Sequence, residues 1–205
     1  MADTCKISGI SYPTQPKALL QDSALKGLFR AFAKKAMVDE NIAFIEAVET
    51  RYDPKVLYKA FISDDAKLQI NIPGSIKQPA DALAQRAAKD PEVWKDRAWR
   101  DIFEVALDTV EALLSNDSVP KFYKSQEFRA HHEAALRKKM TGVDKAAKLL
   151  GVKDVKTLGE LAFQMRLDGP TSPKAKALSE KLVKQENLRM KADAMLEALK
   201  KAGFI

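Results

Sequence analysis

Apolar residues recur three and four positions apart through nearly the whole chain, and proline, glycine and Asp-Pro pairs interrupt that rhythm at short intervals. Ile102, Val105, Ala106, Thr109, Val110 and Leu113 carry the pattern most clearly and lie on one face of a helix. A chain written this way folds as a bundle of short helices, each burying one stripe. The breaks predict the helix ends. Ser23 is placed to cap a helix carrying Leu25, Leu28, Phe29 and Phe32. A segment from Glu40 to Arg51 stops at Asp53-Pro54, because the residue before proline avoids the helical region. Val56, Leu57, Ala60 and Phe61 make a short next helix, and Pro73-Gly74 marks a turn. Ser75 and Gln78 have capping-box spacing, with Pro79 just inside. The helix from Ile102 is expected to end near "SNDS", with Ser118 capping another helix and Pro120 in its first turn. A basic helix then runs to Thr141-Gly142. Three more follow: one closed by Gly151, one opened by Thr157 and Glu160 and closed at Gly169-Pro170, and one opened by Ser172-Pro173 and ending near Gly203. In the last, Leu188, Ala192, Met195 and Leu199 form a four-three-four stripe. Only "LQINI" alternates like a strand, and it is five residues long.

Charge divides the chain unevenly. Its net charge is +7, yet residues 129–205 alone hold 17 Lys and Arg against 9 Asp and Glu. A basic tail of this kind suits nucleic acid, an anionic membrane surface or an acidic protein, and equally a solvated helical face. No stretch reaches the roughly 18 apolar residues of a membrane span, and the first residues lack the apolar core of a secretory signal. Cys5 is the single cysteine, so no internal disulfide forms. These features point to a cytoplasmic protein.

The search for chemistry comes back empty. Neither G-x-x-x-x-G-K-[ST] nor G-x-G-x-x-G occurs, so phosphate cradling has no support. "HHEAAL" starts like a zinc helix, but Leu136 stands where the second histidine should be. His131 and His132 point about 100° apart on a helix and are expected at the surface. No cofactor, no metal, no small-molecule substrate and no catalytic residue is expected.

Three stretches carry more information together than apart: "DENIAFIEAVE", "LYKAFISDDAKLQINI" and "DIFEVALDTVEALLSNDSVPKFYKSQEF". In this order and separation they resemble the regulator of G-protein signalling (RGS) domain, whose pattern runs E-N-I-x-F, then Y-x-x-F-I-S-x-x-A…N, then D-S-x-P-(R/K)-F-x-K-S. The resemblance covers about residues 20–130. It implies an all-α, RGS-like helical bundle with a C-terminal helical extension, in three parts: a flexible N-terminal segment 1–19, the RGS-like domain 20–130 and a basic helical extension 131–205. It further implies a protein that binds a Gα-type GTPase and accelerates GTP hydrolysis by stabilising the switch loops, a GTPase-activating regulator at most and not an enzyme. The partner-binding residues it carries over are Glu40, Asn41, Asn71, Leu113, Asp117, Ser118 and Lys121. Read without the family, Asn41, Asp117 and Ser118 are equally good helix-start residues. The chain departs from the family pattern at Lys121, where arginine is common, at Ile45, where tryptophan often follows Phe44, and at Met37, where an aromatic is common. Lysine lacks the planar fork of arginine.

Two alternatives stand beside this reading. One is an RGS-fold interaction module without GTPase-activating activity. The other is nucleic-acid binding through the tail, where "DKAAKLLGVKDVKTLGEL" is similar to a helix-turn-helix whose reading helix would offer Gln164 and Arg166. Docking of the basic face on an anionic membrane surface is a further use of the same charge.

Overall fold

The computed structural model describes residues 3–50, 53–139, 143–186 and 192–201. The expectations at Arg51, Thr141-Gly142, Leu188 and Gly203 fall outside them. Among the described residues, the regular structure is helical apart from one short hairpin. Two compact units result: Met1–Cys5 with Tyr12–Phe128, and Lys6–Ser11 with Arg129–Ile205.

Residues 1–19, expected as a flexible segment without strands, contain β1 (Thr4–Ile7) and β2 (Ile10–Pro13), paired in a two-stranded sheet. Ser8 and Gly9 form the turn, both with positive φ (50° and 79°). Two successive left-handed residues are what a two-residue hairpin turn requires. The signal was in the sequence, as Ser-Gly between two isoleucines. Helix α1 (Pro16–Gln21) follows directly.

In the first unit, α2 (Lys26–Lys35) opens under Asp22, whose carboxylate accepts from the Ala24 and Leu25 amides, rather than under Ser23. Helix α3 is Asp39–Thr50. Asp53 caps α4 (Pro54–Leu57), accepting from the amides of Lys55 and Val56. This helix continues through a π-type turn at Tyr58–Ile62. Helix α5 (Gly74–Ala87) begins directly after Pro73, without the side-chain cap expected from Ser75. A 3-10 turn (Pro91–Lys95) is capped by Asp90. Next comes α6 (Ala98–Leu113), which does not end near "SNDS": it passes through a second π-type turn, Leu114–Ser118, into α7 (Val119–Tyr123). Proline explains the widening. Pro120 has no N–H to offer the Asn116 carbonyl, and its ring would collide with that carbonyl in a regular helix. One extra residue in the turn removes both problems.

Every phenylalanine between residues 12 and 128 enters one of two ring clusters. Phe122 of α7 meets Phe29 (5.2 Å between centroids), Phe32 (5.7 Å) and Phe128 (5.4 Å), and Phe128 meets Tyr12 and Tyr123. Phe44 of α3 meets Phe61 (5.3 Å) and Phe103 (6.4 Å). Phe103 then continues through Trp99 to Trp94 and Tyr58. The Trp99 indole N–H is satisfied by the Val93 carbonyl at 3.1 Å. Each fully buried ring of this size contributes roughly 1.5–3 kcal/mol through apolar burial.

The second unit packs α9 (Val143–Leu150), α10 (Val155–Asp168), α11 (Pro173–Gln185) and α12 (Ala192–Lys201) around Leu158, Leu161, Met165, Leu182, Met195 and Leu199. Asp154 caps α10, three residues earlier than the predicted cap Thr157, and Ser172 caps α11 as expected. Glu160, expected to close a capping box, instead pairs with Arg137 of α8 (Gln126–Lys139) at 3.1 Å, and the Arg137 guanidinium lies 3.8 Å over the Phe163 ring. Gln164, offered above as a base-reading residue, is buried and donates to Glu160 at 3.1 Å. Helix α10 therefore turns that side chain inward. Among the described residues, no helix is long and apolar enough to cross a membrane.

Helices α2 and α9 end alike. The Val38 amide bonds the Ala33 carbonyl and Met37 bonds Lys34; Val152 bonds Ala147 and Gly151 bonds Lys148. Both are Schellman closures with a left-handed residue. At α9 that residue is Gly151 (φ 66°), while at α2 it is Met37 (φ 54°), 79% exposed. A side chain in this conformation costs about 1–2 kcal/mol. Met37→Gly is therefore expected to stabilise the first unit by about 1 kcal/mol, a rise of about 2–4 °C in its calorimetric midpoint. His132, expected at the surface, is instead only 3% exposed, and burial pushes its pKa below the ordinary histidine value. A lowered folded-state pKa means the unfolded chain binds more protons near pH 6, so stability is fully present above pH of about 6.5 and is lost as pH falls below it. Urea midpoints measured from pH 7.5 to 5.5 should fall in the native protein and fall less in His132→Gln.

Candidate functional site

The carried-over residues sit at three stations of the first unit. Glu40 and Asn41 occupy the first turn of α3. Asn41 is not a capping tip. It is 4% exposed, its backbone N–H bonds the Val38 carbonyl at 3.2 Å, and its side-chain amide donates to the half-buried Glu40 carboxylate at 2.8 Å. The Schellman turn at the end of α2 sets where this first turn starts.

Asn71 stands in the segment between the first π-type turn and α5, and it is exposed. The backbone around it is pinned. The Leu68 amide donates to the Ala60 carbonyl at 3.2 Å and the Ile70 amide to Phe61 at 3.0 Å, while the Gln69 side chain donates to the Ser63 carbonyl at 3.2 Å. Ile70 is buried, so the segment has an apolar anchor one residue before Asn71. "LQINI" thus forms no strand, and its alternation is not kept in the burial: Ile70 is buried while Leu68 is 41% exposed. Asn71 lines a cleft of about 280 Å³ with Ile62, Gln69, Ile70, Ile72 and Lys77.

Leu113, Asp117, Ser118 and Lys121 follow the continuous α6–α7 helix through its π-type turn. Leu113 is 37% exposed, Asp117 and Lys121 are exposed, and Ser118 is 2% exposed. The expected cap role of Ser118 is absent, because the helix does not restart there. Lys121 donates to Asp117 at 2.8 Å, one turn back on the same face. Exposed pairs of this kind contribute little to stability, typically under 1 kcal/mol, so they can be exchanged for a partner's groups at small cost.

Direct hydrogen bonds thus join Glu40 to Asn41 and Asp117 to Lys121. The stations are related through the core: Phe44, three residues after Asn41, touches Phe61, which leads into the Asn71 segment, and Phe103 of the helix bearing Leu113.

Sequence reasoning overlooked Lys77. On α5 its ammonium donates to Asp81 at 2.7 Å and lies 2.9 Å from Asp64 in the turn after Ile62. Asp81 also accepts from the Tyr58 hydroxyl at 2.8 Å. These carboxylates hold the Lys77 pKa above the ordinary lysine range, and burial together with Asp81 pushes Tyr58 up to about 12. The four-residue spacing of Lys77 and Asp81 was the one signal available. Among the described residues, no cluster of His, Cys, Asp and Glu could hold a metal.

Comparison with known proteins agrees with this architecture. Residues 15–131, more than half of the chain, match the family model of the regulator of G protein signaling domain. A stretch of 137 residues is 28% identical to the developmental regulator flbA of Emericella nidulans, covering 55% of this chain and 19% of that protein. A stretch of 124 residues is 31% identical to the regulator of G-protein signaling rgs-3 of Caenorhabditis elegans, covering 58% of this chain and 31% of that protein. The chain spans less than a third of the length of either relative. With its helical bundle and the family match over residues 15–131, the chain belongs to the RGS domain family.

Proposed function

We propose that the first unit binds the switch loops of a Gα-type GTPase and accelerates GTP hydrolysis without supplying a catalytic group of its own. The observation that carries this reading is that the family match spans all seven carried-over residues. In the proposed contact, exposed Asn71, Leu113, Asp117 and Lys121 face the partner together with half-buried Glu40. Asn41 and Ser118 are buried behind them and offer the partner little more than an edge, and the Asn41 amide holds the Glu40 carboxylate.

The chemistry asked of the regulator is modest. A Gα subunit carries its transition-state arginine in cis, so what remains is to hold its switch loops in the arrangement that orients the attacking water. A surface that fits this arrangement better than the ground state lowers the barrier by the difference in binding. Short polar side chains on pinned backbone suit that task, since little entropy is lost when they dock. Lys121, in place of the more common arginine, supplies a point charge without a bidentate fork.

The decisive measurement is single-turnover GTP hydrolysis by purified Gα subunits from the fungal and nematode sources of the two relatives, with and without the full chain. Acceleration is expected. Asn71→Ala should raise the half-saturating concentration by about tenfold, as for a contact worth about 1–2 kcal/mol, with the unfolding midpoint unchanged. Binding to Gα without acceleration would leave an interaction module of RGS fold, and the activating role would be lost.

A further inference from the structure

The first π-type turn, the segment after it and α5 are held by a chain of polar contacts that includes none of the seven carried-over partner-binding residues. Tyr58 donates to one oxygen of Asp81 at 2.8 Å, and Lys77 donates to the other at 2.7 Å and reaches Asp64 at 2.9 Å. From α5, Lys77 therefore reaches back to the start of the segment that carries Asn71, while its bond to Asp81 stays within its own helix. It also lines the same cleft as Asn71. Asp64 and Asp81 share one ammonium, so their carboxylates lie within about 6 Å of each other, where like charges repel unless a cation stands between them. The Lys77 side chain is three-quarters covered, with 25% exposed, and Asp81 is 30% exposed, so their pair is partly shielded from water, whereas Asp64 is 91% exposed and its side of the contact stays hydrated.

We propose that Lys77 is a positioning residue. By neutralising Asp64 and Asp81 together it closes the base of the segment 63–73 and fixes the place from which Asn71 is presented. The consequence for GTP hydrolysis rests on the Gα reading above; the clamp itself does not. An isolated exposed ion pair would be a weak basis for such a role. Here the lysine serves two carboxylates, and one of these is further tied to Tyr58 on the turn that opens the segment. The backbone bonds from Leu68 and Ile70 back to Ala60 and Phe61 then report directly on whether the base is closed.

Two measurements on the full chain test this. The first is amide hydrogen exchange in Lys77→Met, which keeps the aliphatic stem, and in Asp64→Asn. Protection at Leu68 and Ile70 is expected to drop about tenfold or more in Lys77→Met, with protection in α6 unchanged. In Asp64→Asn, where the repulsion is removed along with the contact, the drop should be smaller. Unchanged exchange at Leu68 and Ile70 in Lys77→Met overturns the clamp, whatever the partner proves to be. The second is a double-mutant cycle in single-turnover GTP hydrolysis. Lys77→Met should raise the half-saturating concentration about fivefold in the native background and leave it unchanged in Asn71→Ala. An equal effect in both backgrounds would mean that Lys77 acts through general stability and not through Asn71. If no Gα responds to the native chain, the previous section fails, while the exchange result still decides the clamp.

Discussion

Phe44 is the contact on which the register of the first unit depends. Its ring, fully buried on α3, meets Phe61 at 5.3 Å and Phe103 at 6.4 Å. These three residues come from segments widely separated in the chain, and each segment bears one of the polar stations. Interiors packed at crystal-like density do not slide. Truncating Phe44 would leave a cavity at the junction, at a cost of about 3–5 kcal/mol for a buried phenylalanine. The geometry of the candidate surface would be lost with it. The chain places isoleucine at position 45, also fully buried, where the family often has tryptophan, so the bulk of this junction falls on Phe44 itself.

The two π-type turns follow from the same packing. Each lies in a motif segment and widens a helix by one residue, at Tyr58–Ile62 and Leu114–Ser118. An extra residue rotates everything after it by about 100° around the helix axis. Between Leu113 and Lys121 this rotation lets one continuous helix bury Leu114, Ser118 and Phe122 while Asp117 and Lys121 stay exposed. At Tyr58 it allows the hydroxyl to reach Asp81 while Phe61 and Ile62 remain buried. Such turns are local departures from the best helix geometry, and tertiary contacts hold them.

Much of this fold was legible from breakers. Asp53-Pro54, Asp90-Pro91, Gly151, Gly169 and Ser172-Pro173 all mark ends where the chain supplies a cap or a left-handed residue. Errors arose where two neighbours compete for one role. Asp22 and Ser23 can both cap α2, and Asp154 and Thr157 can both start α10; the carboxylate wins each time because it accepts two bonds at once. Ser118 failed as a cap for another reason. A serine before a proline looks like a helix start, but the proline can also be absorbed by a π-type turn, and nothing local distinguishes the two.

The site was legible in position and not in exposure. Spacing and motif placed Asn41, Asn71 and Asp117 at helix borders, where polar residues are common for local reasons. Whether such a residue faces water is decided by what packs over it, and that is a long-range property. Asn41 is covered and Asn71 is open, although both are asparagines beside an isoleucine at the border of a helix. The difference lies in the preceding backbone: Asn41 follows a Schellman turn at the end of α2, while Asn71 follows a segment bonded back to Ala60 and Phe61, with Ile70 buried and Asn71 exposed. The buried Ile70 and the backbone bonds beside it, which no local spacing announces, are therefore what hold the exposed Asn71 of the candidate surface, and the charges at its base were hidden because Lys77 and Asp64 are thirteen residues apart.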